Sequence, residues 1–154
     1  MEIIVRAATD TDATTIAQFN RAMAQETEHK TLDEGTVNAG VRGLLTRPDY
    51  GFYLVAESEG RVIGCLLVTF EWSDWRNGLF WWIQSVYVRP EARRRGVFRA
   101  LYRAVEAKAD ENENVCGLRL YVERDNAAAQ ETYRALGMEE TAYRLFETEC
   151  MGQK

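Results

Sequence analysis

Residues 80–88 are an apolar and aromatic run broken only by Gln84 and Ser85. The run ends in Arg89-Pro90-Glu91-Ala92-Arg93-Arg94-Arg95-Gly96, and apolar residues then recur at Val97, Leu101 and Val105. A strand-length run, a turn holding Pro and Gly, and then helical spacing leave room for little except a strand–turn–helix unit. Ala100, Ala104 and the stem of Lys108 can join the helix's inward face. The N-terminus of a helix offers exposed backbone N–H groups and partial positive charge, so it ordinarily recruits acids. Here Arg93, Arg94, Arg95 and Arg99 surround it instead. That arrangement predicts a bound anion, and phosphate is the anion such a terminus suits best.

The charge distribution sharpens this expectation. Residues 89–103 hold six arginines against Glu91 alone, so this segment carries +5 and the remaining chain −10, for a net charge of −5. An acidic background disfavours nucleic acid or an anionic membrane as partner and leaves one localised anion site. With 154 residues, the chain is long enough for one domain with a sizeable core, expected over 1–154.

Cys65, Cys116 and Cys150 are widely spaced, and His29 is the single histidine. Neither fits metal-ligand spacing, so no metal is expected. Cys65 reads as a small core residue. Residues 1–6 lack the form of a signal peptide and no window has the length of a membrane span, so a reducing, cytoplasmic setting is the expectation.

Strands are expected at residues 3–7, 52–56, 61–70, 80–88, 118–122 and 141–148, with helices at 13–24, 32–45, 97–110 and 126–136. Residues 72–78 read as a polar, aromatic loop, and residues 57–60 as a hairpin connection. Gly137 suits the position just past a helix end. The order β-α-α-β-β-β-α-β-α-β mixes hairpins with one crossover. It predicts an α/β (α+β) fold, a mixed and mostly antiparallel sheet flanked by about four helices.

Two separated segments resemble one family, the GNAT (Gcn5-related N-acetyltransferase) superfamily. Arg93-Arg94-Arg95-Gly96-Val97-Phe98 is similar to its (Q/R)-x-x-G-x-(G/A) turn, and the stretch from Asn126 to Met138 is similar to its N-x-x-A-x-x-x-Y-x-x-x-G-(F/M) helix. Phe98 departs from the family's Gly or Ala, so its side chain must point away from the ligand. The resemblance implies acetyl-coenzyme A as co-substrate, its pyrophosphate on the turn from Arg93 to Arg99 through Gly96, Val97 and Phe98. It also implies that the strand end Ser85-Val86-Tyr87-Val88 pairs its backbone with the pantetheine amides. Asn126 and Ala129 would lie along the pantetheine arm and Tyr133 would face the thioester sulfur. On the residues alone, Asn126 could instead be only a helix N-cap and Tyr133 a core residue, on one helix face with Ala129 and Leu136.

Acetyl transfer to an amine requires a deprotonated nitrogen, a polarised carbonyl and a protonated leaving thiolate. Val86 or Tyr87 N–H suits the carbonyl, and Tyr133 suits the thiolate. For the base, Glu71 is the first candidate. Asp74, Glu26 and Glu28 are alternatives that could equally be solvated carboxylates, and Gln84 could orient a water. Trp72, Trp75, Trp81 and Trp82 fit cross-strand packing, although one or two could wall an acceptor pocket. An acidic, aromatic pocket predicts a small cationic amine acceptor. A peptide amine, or a non-catalytic CoA-binding module, are the alternatives. The aromatic strands and short last strand are consistent with a homodimer.

Overall fold

In a computed structural model of the protein, which describes residues 1–152, the chain falls into two compact units, Met1–Leu120 and the chain from Tyr121 onward. The first unit holds β1 (Ile4–Ala7), α1 (Ala13–Glu28), α2 (Glu34–Leu45), β2 (Gly51–Ser58), β3 (Arg61–Ser73), β4 (Gly78–Val88), α3 (Val97–Asp110) and β5 (Val115–Arg119). The second holds α4 (Ala127–Ala135). The five strands form one sheet in sequence order; every neighbouring pair is antiparallel except β4–β5, which is parallel across the α3 crossover.

Each helix follows from its spacing. Ala13, Ile16, Ala17 and Phe19 of α1 are buried with Val41 of α2 against Tyr53, Val55, Cys65 and Tyr87 on one sheet face. Strand alternation sends Leu54 and Leu66 to the other face. There Val97, Leu101 and Val105 of α3 are buried as their helical spacing predicts. Gly64 permits this packing, because a β-carbon would lie 3.1 Å from Val97 Cγ1 and 3.0 Å from Tyr87 O. The β2–β3 connection turns through Glu59 and Gly60, both at positive φ, as a two-residue hairpin requires. Arg6 joins β1 to the start of α1 by a forked bond to the buried Asp12, at 2.8 and 3.0 Å.

Three expectations need correction. The fifth strand lies at Val115–Arg119 rather than 118–122, because parallel pairing begins at Leu79↔Val115. β3 runs on to Ser73, shortening the expected loop. Residues 141–148 form no strand. Tyr143, Leu145 and Phe146 there are exposed, and β-propensity without a neighbouring ladder does not make a strand.

Candidate active site

The strand–turn–helix unit holds three unusual backbone features in succession. First, β5 accompanies β4 only along Leu79–Trp82, so among the described residues β5 contributes no partner to the edge of Ile83–Val88. Second, β4 bulges. Cys65 faces Tyr87 while Leu67 faces Gln84, so β4 carries one more residue than β3 between the two pairs. Ser85 absorbs the extra residue at φ +50°, a left-handed conformation that costs a non-glycine residue about 1–2 kcal/mol. Third, the turn curls through Arg94 (φ +64°) and Gly96 (φ +82°) before α3 begins. Gly96 occupies the N-cap with no side-chain cap, so the first-turn N–H groups look outside the helix for acceptors.

The arginines of the turn divide into two sets. Arg89 Nε donates to Val62 O at 2.8 Å and its guanidinium lies over the Phe19 ring. Arg93 Nε donates to Val88 O at 2.9 Å, Nη2 donates to Glu26 Oε1 at 2.7 Å, and the group stacks over Tyr87. Tyr87 Oη donates to the other Glu26 oxygen at 2.7 Å. These two bonds hold the Glu26 carboxyl below its ordinary pKa, the phenol contributing more than the guanidinium. Burial, then Glu26, pushes the Tyr87 phenol up. Thus Glu26 and Arg93, expected on the acceptor and the phosphate respectively, meet each other and tie α1 to the turn. Arg94, Arg95 and Arg99 are exposed and, among the described residues, no carboxylate pairs with them. Val97 is buried, so it can offer only backbone, and the Phe98 ring lies against Tyr102 at 6.1 Å between centroids.

A cavity of about 430 Å³ opens where α1, α2 and the β4 bulge meet. Asn20, Met23, Ala24 and Thr27 line it from α1; Tyr53 and Ser85 line it from the sheet. Of the expected acceptor residues only Glu28 lines it, and Glu28 pairs with Lys30 at 3.2 Å. Burial pushes the Tyr53 phenol up to about 12, so it is neutral. Asn20 Oδ1 is buried without a hydrogen-bond partner.

Of the remaining expected residues, Gln84 directly precedes Ser85 and the others lie further up the sheet. Gln84 Nε2 donates to Thr69 Oγ1. Glu71 accepts from Arg119 at 2.7 Å, and that guanidinium sits 3.6 Å from the Phe80 ring centroid. Glu71 pairs across from Phe80, five residues before Ser85 on β4, or about 17 Å at strand rise. Asp74 lies in the β3–β4 turn, and Trp72 and Trp75 are 61% and 89% exposed. Asn20 and Tyr53 were not anticipated, and Ser85 was anticipated only for its backbone on the donor side. Asn20 did carry a signal, a carboxamide four residues after Ile16 and three before Met23 on an apolar helix face.

In the second unit, Asn126 caps α4, its Oδ1 accepting from Ala129 N–H at 3.1 Å. The helix closes with Gly137 N–H on Arg134 O and Met138 N–H on Tyr133 O, both at 3.0 Å, and Gly137 at φ +94°. This is a Schellman ending, as the sequence predicts. Burial raises the pKa of the Tyr133 phenol. Among the described residues no group of three or more His, Cys, Asp or Glu could hold a metal ion, and no helix is long and apolar enough to cross a membrane.

A bulged strand whose edge β5 leaves open, running into a left-handed, cation-rich helix start, defines a class. Residues 13–138 match the acetyltransferase (GNAT) family, and the chain belongs to that family of acyltransferases. Among solved structures it is 44% identical to a possible acetyltransferase from Clostridium difficile 630, with a TM-score of 0.91, covering 98% of this chain and 99% of that one. More distant structures share the fold. A predicted acetyltransferase with acetyl-CoA from Clostridium acetobutylicum is 17% identical (TM-score 0.79, covering 96% of both chains). AAC(6')-Iy, in complex with the bisubstrate analogue CoA-S-monomethyl-acetylneamine, is 19% identical (TM-score 0.77, covering 97% of this chain and 99% of that one). No curated protein matches the sequence.

Proposed function

We propose that the protein is an acetyl-CoA-dependent N-acetyltransferase that moves the acetyl group to a primary amine by direct attack in a ternary complex. The observation that carries this reading is the bulge at Ser85. It lies on the strand whose edge, open on the β5 side, leads into the cationic turn, and it also lines the cavity. Donor and acceptor sites therefore meet at one point of the backbone.

The residues present suit the donor. The turn N–H groups and Arg94, Arg95 and Arg99 would hold the phosphates, with Val97 and Phe98 contributing backbone only. The edge of Ser85–Val88 would take the pantetheine amides as a further strand would, and the resemblance gives Asn126 and Ala129 as further residues for that arm. Acetyl-CoA supplies an activated acyl group on a good leaving thiolate. Val86 or Tyr87 N–H would stabilise the oxyanion that develops.

An alkylammonium ionises near pH ~10.4, so the acceptor must first lose a proton. Glu28 is the carboxylate that lines the cavity, and a water beside it can carry that proton out. The N–C bond then forms, the C–S bond breaks, and Tyr133 donates its proton to the sulfur. Its raised pKa keeps the phenol protonated at neutral pH, as an acid requires.

The test is release of CoA thiol on mixing acetyl-CoA with primary amines. Tyr133→Phe is expected to lower kcat by about 100-fold, within the usual range for a lost general acid, with the acetyl-CoA KM within about twofold. Undiminished turnover in that variant would remove Tyr133 from the chemistry. Failure of acetyl-CoA to raise the Tm of the protein would remove the donor.

A further inference from the structure

The cavity beside Ser85 is made of residues that carry little charge and much apolar surface. Met23, Leu32, Val37 and Val41 line it, and the α2 face adds Gly40, where a β-carbon would meet nothing within 4 Å. Its charged residues are Glu28 and Lys30, which pair with each other at the rim, each more than half exposed, so the lining is electrically balanced. The Tyr53 phenol adds no negative charge. The carboxylates and exposed tryptophans that would have favoured a cation, Glu71, Asp74, Trp72 and Trp75, do not line it. The Asn20 carboxamide bonds to the Tyr53 phenol, and its Oδ1 is a buried acceptor with no donor. Buried acceptors left in this state are rare and costly, and the N–H of a bound amine is a donor that would satisfy it.

We infer that this cavity selects primary monoamines carried on an uncharged, apolar body, such as alkylamines or arylalkylamines, with Asn20 Oδ1 accepting from the bound amine. The inference rests on the N-acetyltransferase reading and names its acceptor class. Charge arithmetic at the moment of reaction supports it. Once the attacking nitrogen has lost its proton, a monoamine is neutral and can sit against apolar walls. A polyamine or aminoglycoside at the same point still carries further ammonium groups, and the lining offers them no unpaired carboxylate. A volume of about 430 Å³ suits a small organic molecule.

Purified full-length protein would be assayed with acetyl-CoA and 2-phenylethylamine, hexylamine, spermidine or neamine, and binding of each amine measured by calorimetry. The expectation is a kcat/KM at least tenfold higher for 2-phenylethylamine than for spermidine or neamine, and calorimetric binding in the same order. Asn20→Leu should raise the 2-phenylethylamine KM about tenfold, and Gly40→Leu should raise it further by filling the cavity. Both variants should keep the wild-type Tm shift with acetyl-CoA. Preference for spermidine or neamine, or unchanged kinetics in both variants, would overturn the inference while leaving the acetyltransferase reading intact. No Tm shift with acetyl-CoA in the wild-type protein would overturn both.

Discussion

The two ends of β4 are built on the same strand and behave differently. At the Gly78 end, aromatic and charged side chains crowd the hairpin: Glu71 is bound to Arg119, Arg119 lies on Phe80, and Trp72 and Trp75 project into solvent. At the Val88 end the residue types are plainer, yet the backbone is bulged, its β5-side edge unpaired, and a cavity opens beside it. Conspicuous side chains mark the end where neighbours satisfy one another. A strand edge that β5 leaves open and a carboxamide oxygen without a donor mark the end where the proposed ligand fits.

The contrast predicts a graded set of effects. The largest belongs to the exposed arginines of the turn. Reversing Arg94 and Arg95 together to Glu should raise the acetyl-CoA KM about 100-fold, since each lost charge-assisted contact is worth roughly tenfold or ~1.4 kcal/mol. The salt dependence of KM seen in the wild-type protein should shrink in that variant. An unchanged KM would place the phosphates elsewhere.

Next comes the tie between α1 and the turn. Glu26→Gln removes the ionic partner of Arg93 and should cost about 1 kcal/mol, seen as a Tm lower by ~2–4 °C, with a two- to threefold rise in the acetyl-CoA KM. Because the folded pKa of Glu26 is depressed, its contribution is complete above the ordinary carboxylate value of 4.5. It is lost as pH falls below 4.5 through the folded value. The Tm gap between wild type and variant should therefore close on acidification from pH 6 to pH 3; a gap that persists would mean the charge on Glu26 is irrelevant.

The smallest effect belongs to the hairpin. Glu71→Gln and Trp75→Ala should each leave kcat/KM within about twofold. A tenfold loss at Glu71 would return the base to that end and invert the contrast.

Much of the donor side was legible because its signals are local. Val97, Leu101 and Val105 announce a buried helix face, and Gly137 announces a helix end, each within a few residues of chain. The arginine run was legible only as a group. Which of its members face outward depends on Arg94 adopting a left-handed φ and on Glu26, sixty-seven residues away from Arg93 in sequence. The bulge was not legible because the apolar run of β4 carries no alternation to break, and the polar pair Gln84-Ser85 within it does not say that one residue is extra. The cavity was hidden for a related reason. It is assembled from Asn20, Tyr53 and Ser85, ordinary residue types on three elements, and only the tertiary fold brings them together. The expected strand at 141–148 failed in the opposite direction: propensity was present and a ladder was not.

The single extra residue at Ser85 also resets the parity of the strand. Gln84 faces the α1 side with Leu67, and Tyr87, three residues on, faces the same side with Cys65. Without the bulge Tyr87 would point to the opposite face, its hydroxyl would leave Glu26, and every side chain downstream would exchange faces until the turn. One residue of chain length thus sets the phase between two halves of the molecule. Deleting Ser85 would do more than remove a side chain; it would rotate the whole donor segment out of step with the helix that anchors it.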